Sequence, residues 1–343
     1  MSRNQDCKNI LIIGFGKIGK IKAYKWLSRG YEVYVKDLKF SSMKYLNTNS
    51  DVLDDLSRQY FTIEICTPTN HHLTLLKTVI TRYVYSYISI EKPLCNRLED
   101  LEEMKSLVES HPHLAKKIFA SEQYFFSKIL EKLLQVDCFS LDKIKEITVD
   151  FSKDRIEDNE NGRFLDKEIL GYGIEIPHII AVISYLGISL EEFKKGIFVN
   201  AIYIKDLEKH DYSIEILSCI NQTVIKIISN LGSFAIREGK IEGGDAKTVR
   251  RVTIDDKTIL FDPHPKLERY KSELVTGTNT FQIHDDMMDT YISLLEGNAI
   301  PEDCYINNAI EITKLLINLY SECEIMLENL LKEMRQTILF IPC

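Results

Sequence analysis

Asn9-Ile-Leu-Ile-Ile13-Gly14-Phe15-Gly16-Lys17-Ile18-Gly19, followed after one helix length by Tyr31-Glu-Val-Tyr-Val-Lys-Asp37, is the stretch on which the reading of this chain turns. Ile10–Ile13 is a short, largely β-branched apolar run of the kind found in buried parallel strands. Three glycines follow at G-x-G-x-x-G spacing. Ile21, Tyr24, Lys25 and Leu27–Ser28 continue the chain as a helix that Gly30 can end. Val33 and Val35 then alternate in a second strand that finishes on an acid, Asp37.

Each part has a physical task in a dinucleotide site. Gly14 permits the tight turn, Gly16 lets the backbone approach a pyrophosphate, and Gly19 lets helix and strand pack closely. The pyrophosphate is expected at the helix N-terminus, lined by Phe15, Lys17 and Ile18, where unpaired N–H groups and the macrodipole favour an anion. A carboxylate at Asp37 accepts hydrogen bonds from adenosine ribose hydroxyls and repels a 2′-phosphate, so NAD is favoured over NADP. Lys36 and Lys39 flank the acid and read as solvated turn residues.

Composition sets the bounds around this unit. A chain of 343 residues can bury a large core and is read as two domains, residues 1–125 and 126–343. A net charge of −8 argues against nucleic acid or an anionic membrane as the main partner. No apolar run reaches the length of a membrane span, and the polar start Met1–Lys8 lacks a signal-peptide core, so a cytoplasmic location is expected. The eight cysteines form no C-x-x-C pair and read as reduced thiols, with no metal site.

Strands and helices alternate as far as Ser121-Glu-Gln-Tyr124. Phe61–Cys66 is a strand, Leu73–Ile80 a helix, Val84–Ile90 a strand, Leu98–Val108 a helix and Lys117–Ala120 a strand. This is the pattern of a doubly wound parallel sheet. Beyond it come a helix at Ile129–Val136, a strand at Ile144–Phe151, a helix from about Pro177 to Leu186 and a series of short strands from Ile197 to Phe261. Helices at Ile283–Leu295 and from about Tyr305 to Met334 close the chain. The second half is therefore an α+β domain with a large, mostly antiparallel sheet. A sheet covered on one face leaves the other for a second copy, so a homodimer or homotetramer is expected.

Ligands bind outside the carboxyl ends of the strands in an open parallel sheet. Four loops lie at such ends: Gly14–Gly19, Thr67–His72, Glu91–Pro93 and Ser121–Tyr124. The run Thr67-Pro68-Thr-Asn-His-His72 together with Glu91-Lys92-Pro93, in this order behind the glycine loop, resembles the glucose–fructose oxidoreductase / inositol dehydrogenase (Gfo/Idh/MocA) family. The resemblance extends over nearly the whole chain. It implies an N-terminal Rossmann domain, a C-terminal open-faced sheet domain, and hydride exchange between nicotinamide and a secondary hydroxyl of a sugar, sugar phosphate, amino sugar or cyclitol.

The resemblance also implies roles for single residues. Thr67, Pro68, His72, Glu91 and Lys92 would border the cofactor, with Pro93 often joined through a cis peptide. Lys92 would hold the reacting hydroxyl and stabilise a developing alkoxide; read on its own it is equally a surface lysine after a strand. In Gly171-Tyr-Gly173-Ile-Glu175-Ile-Pro177-His178 the family places its active-site histidine, so His178 would be the base. If Pro177 opens the helix, His178 sits in its first turn, where the dipole favours the neutral imidazole. Many members carry an aspartate four residues earlier, where this chain has Ile174. Glu175 is the nearest acid, and reads either as an orienting or as a capping carboxylate.

Tyr124 would lie where the domains meet and contact substrate or cofactor, or pack in the core. Arg155 and Arg163 precede the helix and suit a polyhydroxylated or phosphorylated substrate, although charge-rich stretches are commonly solvated loops. The readings that compete with an NAD-dependent dehydrogenase are a non-catalytic NAD-binding sensor or scaffold, and a reductase of the same fold acting on an imine or enone.

Overall fold

The computed structural model describes residues 7–38, 57–136, 140–153, 172–206, 211–232, 234–237, 240–243, 249–263 and 268–338. Its first half is built on five parallel strands: β1 (Asn9–Ile13), β2 (Glu32–Lys36), β3 (Gln59–Ile65), β4 (Val84–Ile90) and β5 (Ile118–Ala120). They lie in the order β2-β1-β3-β4-β5. Most residues of β1 and β3 are buried on both faces, as the apolar run of β1 required, and β3 buries Thr62 and Glu64 as well. Helices α1 (Lys17–Ser28), α2 (His72–Arg82) and α3 (Leu98–Ser110) connect the strands.

The strand order reverses beside β1, which opens a crevice between the carboxyl ends of β1 and β3. Register brings the strand ends level. Ile13 pairs with Ile65, Ile65 with Ile90 and Ile90 with Ala120. Beyond them Cys66 N–H donates to Ile13 O, Glu91 N–H to Ile65 O and Ser121 N–H to Ile90 O, at 2.7, 3.0 and 2.7 Å. The four loops thus start from one rim.

After α4 (Lys128–Gln135) and β6 (Glu146–Ser152) come α5 (Tyr172–Tyr185), α6 (Leu190–Gly196), β7 (Phe198–Asp206), β8 (Asp211–Ile220) and β9 (Thr223–Asn230). A separate hairpin, β10 (Phe234–Arg237) with β11 (Lys240–Gly243), precedes β12 (Val249–Ile254), β13 (Lys257–Leu260), β14 (Lys271–Thr276) and β15 (Asn279–His284). These last strands join β6 to β9 in one sheet, ordered β15-β14-β13-β12-β6-β9-β8-β7. Only β6 and β9 run parallel; every other neighbouring pair is antiparallel. Two helices end the described chain, α7 (Met287–Glu296) and α8 (Ile306–Ile338).

Two sequence expectations are corrected here. The helix expected from Ile283 starts at Met287, because residues up to His284 pair with Lys271 in β15. The strands β14 and β15 have mixed, polar-rich sequences that conceal their pairing. The helix expected to open at Pro177 already includes Tyr172, so Pro177 lies inside it. Among the described residues no single helix is long and apolar enough to cross a membrane.

The buried face of α1 is not its most apolar one. Gly19, Lys22, Ala23 and Trp26 point inward, while Tyr24 is 67% exposed. Lys22 Nζ donates to Glu64 Oε2 of β3 at 2.9 Å and to Ser89 Oγ of β4 at 3.3 Å, and lies 2.7 Å from Glu91 Oε1. Glu64 Oε1 accepts from Trp26 Nε1 at 3.1 Å and from the Tyr291 hydroxyl of α7 at 2.9 Å. Burial by itself lowers a lysine's affinity for its proton, but Glu64 and Glu91 outweigh it and hold Lys22 well above the usual range.

The ammonium therefore donates two hydrogen bonds and pairs in charge with Glu91, and a buried network of this kind is costly to break from one side. Lys22→Met leaves two carboxylates facing a dry apolar group. We expect a loss of about 3–5 kcal/mol in urea unfolding, with the slope unchanged. A variant within about 1 kcal/mol of wild type would show that the network does not stabilise the fold.

Candidate active site

Gly14 has φ +96°, and a Cβ there would lie 2.7 Å from the Cys66 carbonyl. A Cβ on Gly19 would lie 2.0 Å from Gly14 O. Both glycines are therefore demanded by the protein itself. Gly16 differs: nothing lies within 4 Å of a Cβ built on it, and its φ of −70° suits any residue. The open space over Gly16, at the uncapped start of α1 with no acid in its first turn, is the cradle a pyrophosphate needs.

Lys17 and Ile18 form the first turn of α1 beside this space. Asp37 follows β2, and its Oδ2 accepts from Phe15 N–H at 2.6 Å. The acid is thereby fixed to the glycine loop at one end of the crevice. Across it, the Thr67 hydroxyl is buried without a hydrogen-bond partner among the described residues, as a group awaiting a ligand can be. These features fit a dinucleotide.

Pro68 leads the Thr67 loop into a 3₁₀ turn, Thr69–His71, that runs into α2. His72, expected to border the cofactor, is 1% exposed. Its Nε2 is 2.9 Å from Thr67 O, and its Nδ1 is 3.1 and 3.2 Å from Pro93 O and Leu94 O. Burial holds this imidazole below its ordinary pKa, with the carbonyls opposing. His72 thus fastens the Thr67 loop to the Glu91–Pro93 loop rather than presenting its ring to a ligand. Glu91 is likewise turned toward Lys22.

The peptide between Lys92 and Pro93 is cis, in keeping with the resemblance. Lys92 is half-buried and, with Glu122 and Pro177, lines a pocket that extends to Cys304 and Thr313 beside α8. His178 projects from the second turn of α5, so the first-turn dipole does not act on it as expected. Burial, then the Lys92 cation, hold the imidazole well below its usual range. The imidazole is thus held neutral, by burial and a nearby cation and not by the helix dipole.

His178 Nδ1 lies 2.5 Å from Glu122 Oε1, with only 9% and 4% of the two side chains exposed. Glu122 caps the 3₁₀ turn Gln123–Phe126, accepting from Tyr124 N–H at 3.4 Å. Burial pushes its carboxyl up to about 7, against the pull of Lys92. Glu175 has a cation within reach in the same cluster. It is 1% exposed and lies 3.7 Å from the Arg250 guanidinium of β12.

Tyr124, expected at a substrate, is 1% exposed and packs edge-on against His178, with ring centroids 5.1 Å apart. It also meets Phe151 and Phe261, so its place is behind the histidine. Arg155 and Arg163 lie outside the described residues. Glu122 and Arg250 join the cluster without having been singled out in the sequence. Glu122 stood in a strand-end loop, where position alone was a signal; Arg250 had none.

The chain has the fold of the Gfo/Idh/MocA-type oxidoreductases. No protein-family model matches it, and no curated protein does by sequence. Among solved structures it is similar to an inositol dehydrogenase homolog of Azotobacter vinelandii, complexed with NADH and myo-inositol. That match has a TM-score of 0.66 and 12% identity, and covers 94% of this chain and 97% of that one. It is also similar to UDP-N-acetylglucosamine 3-dehydrogenase of Acidithiobacillus ferrooxidans, with a TM-score of 0.62, 14% identity and coverage of 92% and 97%. An oxidoreductase of Pseudomonas syringae matches with a TM-score of 0.63, 12% identity and coverage of 93% and 97%.

Two predictions separate what the loops and Glu122 do. Gly16→Val is expected to keep wild-type stability while weakening NAD binding by about tenfold or more, or roughly 1.4 kcal/mol. Gly19→Ala should instead destabilise the fold; equal melting of both variants would contradict the geometry. For Glu122, a carboxyl raised from 4.5 to about 7 contributes stability that is fully present below the lower value and lost as pH rises through the upper. Relative to Glu122→Gln, the wild type should lose about 3 kcal/mol across that window in urea unfolding. Parallel stability curves would mean that the carboxyl ionises normally.

Proposed function

We propose that this protein is an NAD-dependent oxidoreductase acting on a secondary hydroxyl, or the matching ketone, of a sugar, sugar phosphate, amino sugar or cyclitol. The observation that carries the reading is that Lys92, which follows the strand-end rim bearing the glycine loop, and His178, from the second half of the chain, are near enough for the Lys92 charge to act on the imidazole. When bound, the nicotinamide ring supplies the acceptor or donor of hydride. His178, held neutral, takes the hydroxyl proton, and the Lys92 ammonium stabilises the oxygen as negative charge develops. The bound NADH and myo-inositol of the Azotobacter structure support the same class of ligands on this fold.

NAD is preferred to NADP in this reading because Asp37 is fixed at the glycine loop, while Lys36 Nζ is drawn to within 3.4 Å of the Tyr83 hydroxyl. A second copy of the chain is expected on the far face of the large sheet. That face carries the cross-strand pairs Lys226–Glu215 and Arg251–Asp150, so its contacts would be partly polar.

The test is a panel of sugars and cyclitols assayed for nicotinamide reduction. Lys92→Met and His178→Ala are each expected to lower turnover by about 10²–10⁴ while leaving NAD binding intact. If both retain wild-type turnover, the assignment is wrong.

A further inference from the structure

A histidine that acts as a base through one ring nitrogen needs something to fix the proton on the other. In this chain the residue one helical turn before His178 is Ile174, which has no carboxylate. Glu175 is engaged with Arg250 at 3.7 Å. The carboxylate that meets the imidazole comes from another element altogether. Glu122 follows β5, and its Oε1 lies 2.5 Å from His178 Nδ1. Its Oε2 is buried and has no hydrogen-bond partner among the described residues. A carboxylate so poorly solvated is prone to take a proton.

We infer that Glu122 and His178 form a proton-sharing pair in which Glu122 decides whether the ring nitrogen facing the substrate accepts a proton or donates one. This rests on the function proposed above. With the pair one proton poorer, Glu122 is a carboxylate, Nδ1–H donates to it, and Nε2 carries the lone pair. Alcohol oxidation then breaks the substrate O–H bond and forms Nε2–H, while the Nδ1 proton passes to Glu122. The imidazole ends neutral, and the carboxyl group has gained the proton. With the pair one proton richer, Glu122 donates to Nδ1 and Nε2–H is set to protonate the oxygen of a ketone undergoing reduction. Glu122 is thus a positioning residue that acts through His178.

The groups facing the pair are Lys92 and Glu91 from the loop after β4, Glu175 from the same helix as His178, Arg250 from β12, Tyr124 from the turn after Glu122 and the buried thiol of Cys304 ahead of α8. Two cations and two carboxylates leave the pair's own proton as the exchangeable charge near neutrality, and the two residues titrate as one unit.

Two measurements on the full chain test the inference. In the first, His178 is followed by ¹⁵N NMR without substrate, assigned against His178→Gln. The wild type should change from the Nε2–H to the Nδ1–H tautomer as pH rises through about 7. Glu122→Gln, which can accept from Nδ1–H but cannot take its proton, should show no such change, and Glu122→Asp should restore it in part. In the second, oxidation by wild type should rise and ketone reduction fall through the same pH. Glu122→Gln should lose that inflection and about 10²-fold in kcat, with KM little changed.

A wild-type His178 whose tautomer ignores pH overturns the inference, even if the glutamine variant fails to fold. So does an inflection that persists in Glu122→Gln. If no polyol is oxidised but the tautomer exchange depends on Glu122, the pair stands and the proposed substrate class falls. If polyols are oxidised with an inflection independent of Glu122, the pair falls and the function stands.

Discussion

The ammonium of Lys22 has no contact with solvent and lies between Glu64 at 2.9 Å and Glu91 at 2.7 Å. An isolated charge in such a place would cost several kcal/mol, so the surrounding elements must stay where they satisfy it. Those elements are α1, β3, the end of β4 and, through Tyr291, α7 from the second half of the chain. One buried charge therefore fixes the helix that starts at the glycine loop, the strand ends that form the rim and the contact between the halves. Since Glu91 precedes Lys92 directly, the network also sets where the Lys92 loop begins.

A second layer of constraint lies above it. His72 ties the Thr67 loop to the Pro93 and Leu94 carbonyls, and Asp37 ties β2 to the glycine loop. Helix α8 contributes Ile306, Ala309, Ile310 and Ile317 to the core of the first sheet and Leu315, Leu316 and Leu319 to that of the second. The rim and the helix bearing His178 are consequently held by one continuous body of packing. Burial in that body, more than any helix dipole, keeps His178 neutral.

How much of this was legible follows from how local each signal is. The G-x-G-x-x-G turn, the strands around it and the Glu91-Lys92-Pro93 motif are short-range patterns, and they led to the rim and to Lys92. The buried stripe of α1 was harder to read, since a lysine occupies one of its inward positions and apolar periodicity misleads there. Strands β14 and β15 escaped because both are rich in polar residues, β15 lying exposed at the sheet edge, and their pairing depends on neighbours, not on alternation. Pro177 looked like a helix start, yet tertiary packing tolerates it inside α5.

The sequence by itself determined the parallel sheet and the glycine loop with the acid that follows it, whereas Lys92 and His178 were singled out by resemblance to a family. The sheet and the loop are encoded by residues near one another in the chain, where steric rules for glycine, proline and β-branched side chains act directly. Only the tertiary structure decided which carboxylate meets His178, where Glu175 and Tyr124 lie, and where the Lys22 charge is balanced. Those outcomes depend on groups 42 to 227 positions apart being desolvated together. Desolvation is a property of the packed interior, and no stretch of sequence carries it alone.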